Sequence, residues 1–317
     1  MPSSVAQAVP TIIDTDVGTF MDDTFALAFA LELPELDIKL VVTASHDTVG
    51  RARVAAKHLS IVGADYIPIG IGVPTSNETG ALFGWAADFD LAAYPGGVHQ
   101  DGVKAMQETI DSCTGELVTL IEIGPHTNAK SLLERFPGIE RRVRVVVMGG
   151  SIVPGIHLPW GHVTPVNTTN EKVDPAAARA MLHARWSQMP QFAPIATTYQ
   201  VAIRGALWQA LRTSSRRSPQ LVLECYQYWW NESRRDPTWI THGEAMSLDP
   251  LQQSPILFDA EAVHLAGTAQ WLALTKVTID FSEYGRTLVL PANSSIGSFA
   301  LFAFNWTGGG GTQGNHS

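Results

Sequence analysis

At 317 residues the chain is long enough to bury one large core or two small ones, and a single α/β domain is common at this size. Its hydrophobic (45%) and charged (16%) fractions are ordinary for a soluble enzyme, and no apolar stretch is long and uninterrupted enough to span a bilayer. A formal net charge of −9 repels a phosphate backbone, which excludes nucleic acid as an expected partner. Cys113 and Cys225 could pair, but two thiols in a large domain read as reduced core residues of a cytoplasmic protein. Met1 to Pro10 shows neither the basic region nor the apolar run of a signal peptide.

Short apolar runs alternate with helical patterns from the start. A strand ends at Thr11–Asp14, and Asp22–Leu33 reads as a helix with a largely buried face formed by Phe25, Leu27, Ala28, Phe29 and Leu31. Leu36–Thr43 is a second strand, Arg51–Val62 a second helix and Ile67–Val73 a third strand. Leu117–Ile123 is a strand that runs into Gly124-Pro125 and a helix over Asn128–Arg135, and Val143–Met148 is a further strand closed by Gly149-Gly150. The alternation predicts an α/β fold: an open, mostly parallel, Rossmann-like sheet with helices on both faces. Residues 1–306 are expected to form one domain, and the polar, Gly-rich tail 307–317 is expected to be disordered. Ligands of such sheets bind beyond the carboxyl ends of the strands, so the residues that follow each strand matter most.

The run Asp14-Thr15-Asp16-Val17-Gly18-Thr19-Phe20-Met21-Asp22-Asp23 follows the first strand. Crowded carboxylates repel one another and desolvation adds to the cost, so the cluster asks for a cation. Its ligands are all oxygen, which suits a hard ion such as Ca²⁺ or Mg²⁺. Gly18 permits a tight turn, and Asp22 and Asp23 fall at a helix N-terminus, where negative charge is favoured.

This stretch resembles the D-x-D-x-G…D-D signature of the inosine–uridine nucleoside hydrolases. Further motifs follow in the family's order. Ile123-Gly124-Pro125-His126-Thr127-Asn128 resembles its x-G-P-L-T-N turn, and Val145-Val146-Val147-Met148-Gly149-Gly150 resembles a V-V-M-G-G strand end. Asn170 through Val173-Asp174-Pro175 resembles N-x-x-x-D-P, and Phe258-Asp259-Ala260-Glu261-Ala262-Val263 resembles H-D-P-x-A-V. The loop Ser45-His46-Asp47-Thr48 fits more loosely. The resemblance covers roughly residues 11–265.

What the resemblance implies is calcium-dependent hydrolysis of the N-glycosidic bond of a nucleoside by a homodimer or homotetramer. Asp16, Asp23, Asp259 and the Ile123 carbonyl are expected to bind Ca²⁺, with Asp16 also the general base. Asp22, Asn170 and Asp259 are expected to hold the ribose hydroxyls, Met148 to pack beneath the sugar, and Asp14 and Asp47 to support these groups from behind. His162 falls where the family grips the 5′-hydroxyl. The aromatic segment Tyr226–Trp230 and Trp239–His242 falls where it places a base-binding wall, although Trp at helical spacing more often fills a core.

The departures are specific. Phe258 stands where the family often has a proton-donating His, which leaves His242 as the nearest replacement acid. His162 stands where the family usually has Asn, and Thr168 stands where the family has Glu two residues before Asn170. Two other readings stay open at this level. Asp14-x-Asp16-x-Gly18 after a strand also suits a haloacid-dehalogenase-like phosphatase, and Phe258 with Thr168 suits a nucleoside-binding relative that lost turnover.

Overall fold

Apolar runs with few charges become the middle strands of a nine-stranded sheet, because strands covered on both faces carry no solvent side. The computed structural model describes residues 8–150, 156–158, 161–163, 169–235, 249–268, 274–279 and 286–291. The strands are β1 (Val9–Thr15), β2 (Leu36–Thr43), β3 (Ile69–Ile71), β4 (Val98–His99), β5 (Val118–Glu122), β6 (Val143–Met148), β7 (Ile156–Leu158), β8 (Gly161–Val163), β9 (Gln191–Ala193), β10 (Leu274–Ile279) and β11 (Arg286–Pro291). The helices are α1 (Asp22–Ala30), α2 (Thr48–Val62), α3 (Gly102–Ser112), α4 (Thr127–Arg135), α5 (Thr169–Val173), α6 (Pro175–His183), α7 (Ile195–Thr198), α8 (Gly205–Arg212), α9 (Arg217–Arg235) and α10 (Phe258–Thr268). Thr168, His242 and the tail 307–317 lie outside the described residues, as do the side chains of β7 and β8.

The sheet order is β10-β11-β9-β6-β5-β1-β2-β3-β4. All neighbours from β11 to β4 pair in parallel, and β10 closes that edge antiparallel to β11. The α/β expectation, mostly parallel, holds. Chain order moves outward from β1 through β2, β3 and β4, then restarts on the other side with β5, β6 and β9. The reversal lies between β1 and β5, whose connections diverge and open a crevice at their carboxyl ends.

Side chains alternate along each strand, so neighbouring residues serve opposite cores. Ile13, Val41, Ile121 and Val146 face the cluster that includes residues of α1, α2, α9 and α10. Ile12, Leu40, Val42, Leu120, Val145 and Val147 face the cluster that includes residues of α3, α4 and α6. Element ends differ from expectation where side chains cap them. Helix α2 begins at Thr48, three residues before the expected Arg51, because the Asp47 carboxylate accepts from the N–H groups of Val49 (3.1 Å) and Gly50 (3.0 Å). Among the described residues no helix is long and apolar enough to cross a membrane.

Gly72, just past β3, shows how closely the strand ends are fitted. A Cβ there would lie 2.0 Å from the Thr43 carbonyl oxygen and 2.5 Å from the Asn128 amide. Gly72→Ala is expected to destabilise the fold by about 1–3 kcal/mol, as overpacking against backbone does, read as a lowered urea midpoint. A midpoint equal to that of the native chain would show that these ends have room to spare.

Candidate active site

The carboxyl end of β1 delivers the acidic run into the crevice. Asp14 is buried and paired in register with Glu122 of β5. The Asn128 amide of α4 donates to Asp14 Oδ1 (2.9 Å) and to the Thr43 carbonyl (3.1 Å), while Val73 N–H donates to Asn128 Oδ1 (2.8 Å). One amide thus ties the ends of β1 and β2 to the chain leaving β3. Beyond Asp14 the backbone turns through Gly18, whose φ of +117° suits glycine and whose missing Cβ leaves room for Phe83. The loop then enters α1, with Asp22 and Asp23 in its first turn. Thr15 accepts from Val17 N–H (3.1 Å) and donates its hydroxyl to Asp23 Oδ1 (2.5 Å), which fixes that carboxylate over the strand end.

Helix α10 packs against α1 and brings Asp259 in its own first turn to the same place. Oxygen atoms of Asp22, Asp23 and Asp259 lie within 4.8 Å of one another. Asp23 and Asp259 are buried, and the Asp16 side chain is 16% exposed. Burial, followed by the charge of Asp16, raises Asp22 to about 7. Burial and then the neighbouring carboxylates hold Asp23 and Asp259 well above the usual carboxylate range. Asp14 is raised in the same way, by burial and then by Glu122. In Asp16 the effect of burial is opposed first by Arg51.

Arg51 is the residue that sequence reasoning missed here. It is 1% exposed and lies on α2 among the buried Ala52, Val54 and Ala55. Its Nε donates to the Ser45 carbonyl (2.9 Å), its Nη1 to the carbonyls of Val17 (3.1 Å) and Asp16, and its Nη2 lies 4.0 Å from Asp16 Oδ2. The guanidinium thereby joins the loop after β1 to the turn after β2. That turn carries two non-glycine residues in the left-handed region, Ser45 (φ 68°) and His46 (φ 51°). Such backbone persists only where its surroundings hold it. Here Arg51 grips Ser45, while Thr75 and Ser76 bond His46 at 2.8 Å each. The available signal was an arginine at the spacing of the buried face of α2, three and four residues before the buried Val54 and Ala55.

Across the crevice, Asn170 on α5 donates its amide to the carbonyls of Ile123 (3.2 Å) and Met148 (3.1 Å). Asp16, Asp22, Asp23 and Asp259 thus form one group, and Ile123, Met148 and Asn170 a second, joined to the first where Ile123 N–H donates to the Asp14 carbonyl (2.8 Å). Asp14 sits behind them, and Asp47 is taken up in capping α2. Phe258, part-buried, is the first residue of α10 beside Asp259. His162 lies in β8 without a described side chain, and His242 lies outside the described residues. The aromatic segment divides: Tyr226 and Trp229 are core, with Trp229 Nε1 donating to the Thr19 carbonyl (2.9 Å) at the acidic loop. Arg234 stacks over Trp230 at 4.4 Å.

A parallel α/β sheet with a carboxylate cluster at its reversal point and an amide-bearing helix opposite defines a hydrolase-type site for a small hydroxylated ligand. The model of the inosine-uridine preferring nucleoside hydrolases matches residues 11–302, and the chain belongs to that family of N-ribosyl hydrolases. It is similar to the pyrimidine-specific ribonucleoside hydrolase RihA of Citrobacter koseri, at 28% identity over 247 residues covering 73% of this chain and 74% of that one. The RihA of Salmonella schwarzengrund is 29% identical over 244 residues, with 73% and 74% covered. Among solved structures, a plant nucleoside hydrolase superposes with a TM-score of 0.71 at 20% identity, covering 94% of this chain and 99% of that one. The inosine-uridine preferring enzyme of Bacillus anthracis gives 0.68 at 16% identity, with 94% and 99% covered. The phosphatase reading ends here. It needs an accessible aspartate nucleophile at the strand end, and Asp14 is 1% exposed and bonded to Asn128.

The raised carboxyls set a pH dependence for protein stripped of cations. Folded Asp22 keeps its proton up to about pH 7, whereas the unfolded chain gives it up near the ordinary 3.8. The folded state therefore binds more protons in that window, and stability falls as pH rises through it. In chelator, Tm is expected to drop from about pH 5 to about pH 8, and Asp22→Asn, with no proton to lose, is expected to flatten the drop. A rise in Tm over the same range would contradict the assignment.

Proposed function

We propose that this nucleoside hydrolase is calcium-dependent, releasing free base and ribose from ribonucleosides. The observation that carries the reading is the convergence of Asp22, Asp23 and Asp259 to within 4.8 Å, with Asp16 beside them and two of the three buried. Such a set cannot stay fully ionised without a further cation, since the charge of Arg51 eases Asp16 and Asp23 but leaves both raised. The donors are oxygens only, the chemistry of a hard ion. Asp16, Asp23 and Asp259 with the carbonyl of Ile123 would hold Ca²⁺; that carbonyl accepts from Asn170 and has a second lone pair to offer. When bound, the ion lowers the pKa of water and neutralises the carboxylates.

The remaining roles belong to side chains. Asp16, the most open of the buried group next to Asp22, takes the proton of the attacking water as general base. Asp22, Asn170 and Asp259 accept from or donate to the 2′- and 3′-hydroxyls and so fix the sugar while its anomeric carbon gains oxocarbenium character. Met148 supports Asn170 through its carbonyl and borders the same floor. The two thiols are free, which fits a reducing cytoplasmic setting.

The deciding experiment is a ribonucleoside panel assayed for reducing-sugar release with and without chelator. Release that is abolished by chelator and restored by Ca²⁺ is expected. Asp16→Asn is expected to lower kcat by about 10²–10⁴-fold with a smaller change in KM, as loss of a general base does. Activity indifferent to strong chelators would refute the calcium assignment, and no release from any nucleoside would favour the binding-only relative.

Departure of the base gives a second test. Phe258 places no proton donor beside Asp259, so leaving-group quality is expected to govern the rate. Nitrophenyl riboside, which needs no protonation, is expected to be cleaved much faster than inosine or adenosine, and Phe258→His to raise purine turnover. Natural purines outpacing the nitrophenyl substrate would require a proton donor elsewhere in the pocket.

A further inference from the structure

A second group of charges is buried behind the sugar side of the crevice. Glu122 ends β5 and is fully buried. Four residues on, His126 enters α4, also fully buried, with Nδ1 3.0 Å from Glu122 Oε2. Its other nitrogen, Nε2, lies 3.9 Å from Glu171 Oε1, and that same oxygen accepts from Gly150 N–H at 2.7 Å. Burial pushes His126 down, but the two carboxylates outweigh it and lift the group to about 10. A protonated ring carries its charge over both nitrogens, so it meets the end of β5 through a hydrogen bond to Glu122 and the start of α5 through an ion pair with Glu171 at 3.9 Å. A buried carboxylate left without its counter-charge is strongly destabilising, so each member depends on the next.

The chain of charges leads to Asn170. Glu171 is its neighbour on α5, whose described residues are Thr169–Val173. The seat of Glu171 is built for it: a Cβ on Gly149 would fall 2.3 Å from Glu171 Oε1. Helix α5 therefore has two anchors. The Asn170 amide lies on the carbonyls of Ile123 and Met148, and the Glu171 carboxylate lies on Gly150 N–H with His126 behind it. Both anchors grip the ends of β5 and β6. The histidine stands where the family's turn has leucine, and the glutamate the family places before this asparagine is Thr168 here.

We propose that the Glu122–His126–Glu171 chain, buried at its first two members, is a positioning device for substrate binding, which locks α5 to the ends of β5 and β6 and so holds Asn170 toward the ribose hydroxyls. The inference rests on the nucleosidase reading for the role of Asn170; the lock itself does not. His126 and Glu171 are positioning residues, acting through Asn170 without touching the sugar.

The test uses the full-length protein and three variants, His126→Leu, Glu171→Gln and the double variant, with KM and kcat for a cleaved ribonucleoside and amide hydrogen exchange of segment 169–173. Each single change is expected to raise KM about tenfold with kcat altered less than about threefold, because ground-state sugar binding is what is lost. Exchange of 169–173 is expected to quicken while that of α2 stays unchanged. The double variant is expected to be no worse than the worse single one, because one break already opens the chain. Additive effects, or a KM within about twofold of native together with unchanged exchange in 169–173, would overturn the proposal. Should His126→Leu fail to fold, Glu171→Gln decides alone, since its side chain is 25% exposed and its loss leaves the core packed. If the native protein cleaves no nucleoside, the nucleosidase reading falls, and the exchange measurement still shows whether the charges hold α5.

Discussion

The structure turns on one unfavourable contact made compulsory: carboxylates that repel one another are held together where water is scarce. Asp14, Asp16, Asp22, Asp23 and Asp259 come from three elements, the end of β1, the start of α1 and the start of α10. Left alone they would swing apart or take up protons, and burial does raise them. The surrounding fold works against both escapes. Thr15 and Asn128 each pin a carboxylate by a hydrogen bond from a group that is itself buried, and helix N-termini supply aligned N–H dipoles beneath Asp22, Asp23 and Asp259. Arg51 fixes the loop that carries Asp16 by its carbonyls, so the guanidinium fixes backbone as much as it balances charge.

The topology explains why the crowd gathers at that spot. Between β1 and β5 the connections leave to opposite sides, and the carboxyl ends of two central strands are left without a helix crossing over them. Several groups of the site lie within three residues of such an end: Asp16 after β1, Ser45 and His46 after β2, Ile123 after β5, Met148 at the end of β6. The sheet below is a rigid base because both of its faces are packed, and at Gly72, against the Thr43 carbonyl, and at Gly80, against the Gly18 carbonyl, loops approach each other too closely for a side chain.

Much of this was legible in the residues. Leu36–Thr43 and Val143–Met148 match their strands end to end, since a central parallel strand is an apolar run with clear borders. The acidic run and the late Asp259 were legible because like charges crowded beside a buried strand are costly unless a cation gathers them. Arg51, Glu122 and Glu171 were not legible. A charge inside an apolar pattern declares nothing until its partner, here a carbonyl or an imidazole distant in sequence, has been placed beside it by the fold. The aromatic run on α9 was ambiguous for the opposite reason: Tyr226 and Trp229 have the spacing of a core face, and a core face is what they form, with Trp229 reaching the acidic loop only through its indole N–H.

The charges fall into two compartments with separate means of compensation. On the acidic side the Arg51 guanidinium holds the loop carbonyls and its charge lowers Asp16 and Asp23, but burial and mutual repulsion outweigh it and leave those carboxyls raised, which makes that side responsive to pH. On the sugar side His126 lies between Glu122 and Glu171, so the balance is internal and independent of any ion. The two meet through Asp14, which feels Glu122 and His126 from one direction and Asp16 from the other, and which is bonded to Asn128 where they join. Asn170 is therefore held by groups within the chain, the Ile123 and Met148 carbonyls on one hand and the charges around Glu171 on the other, and the crowding of the acidic side does not enter its support.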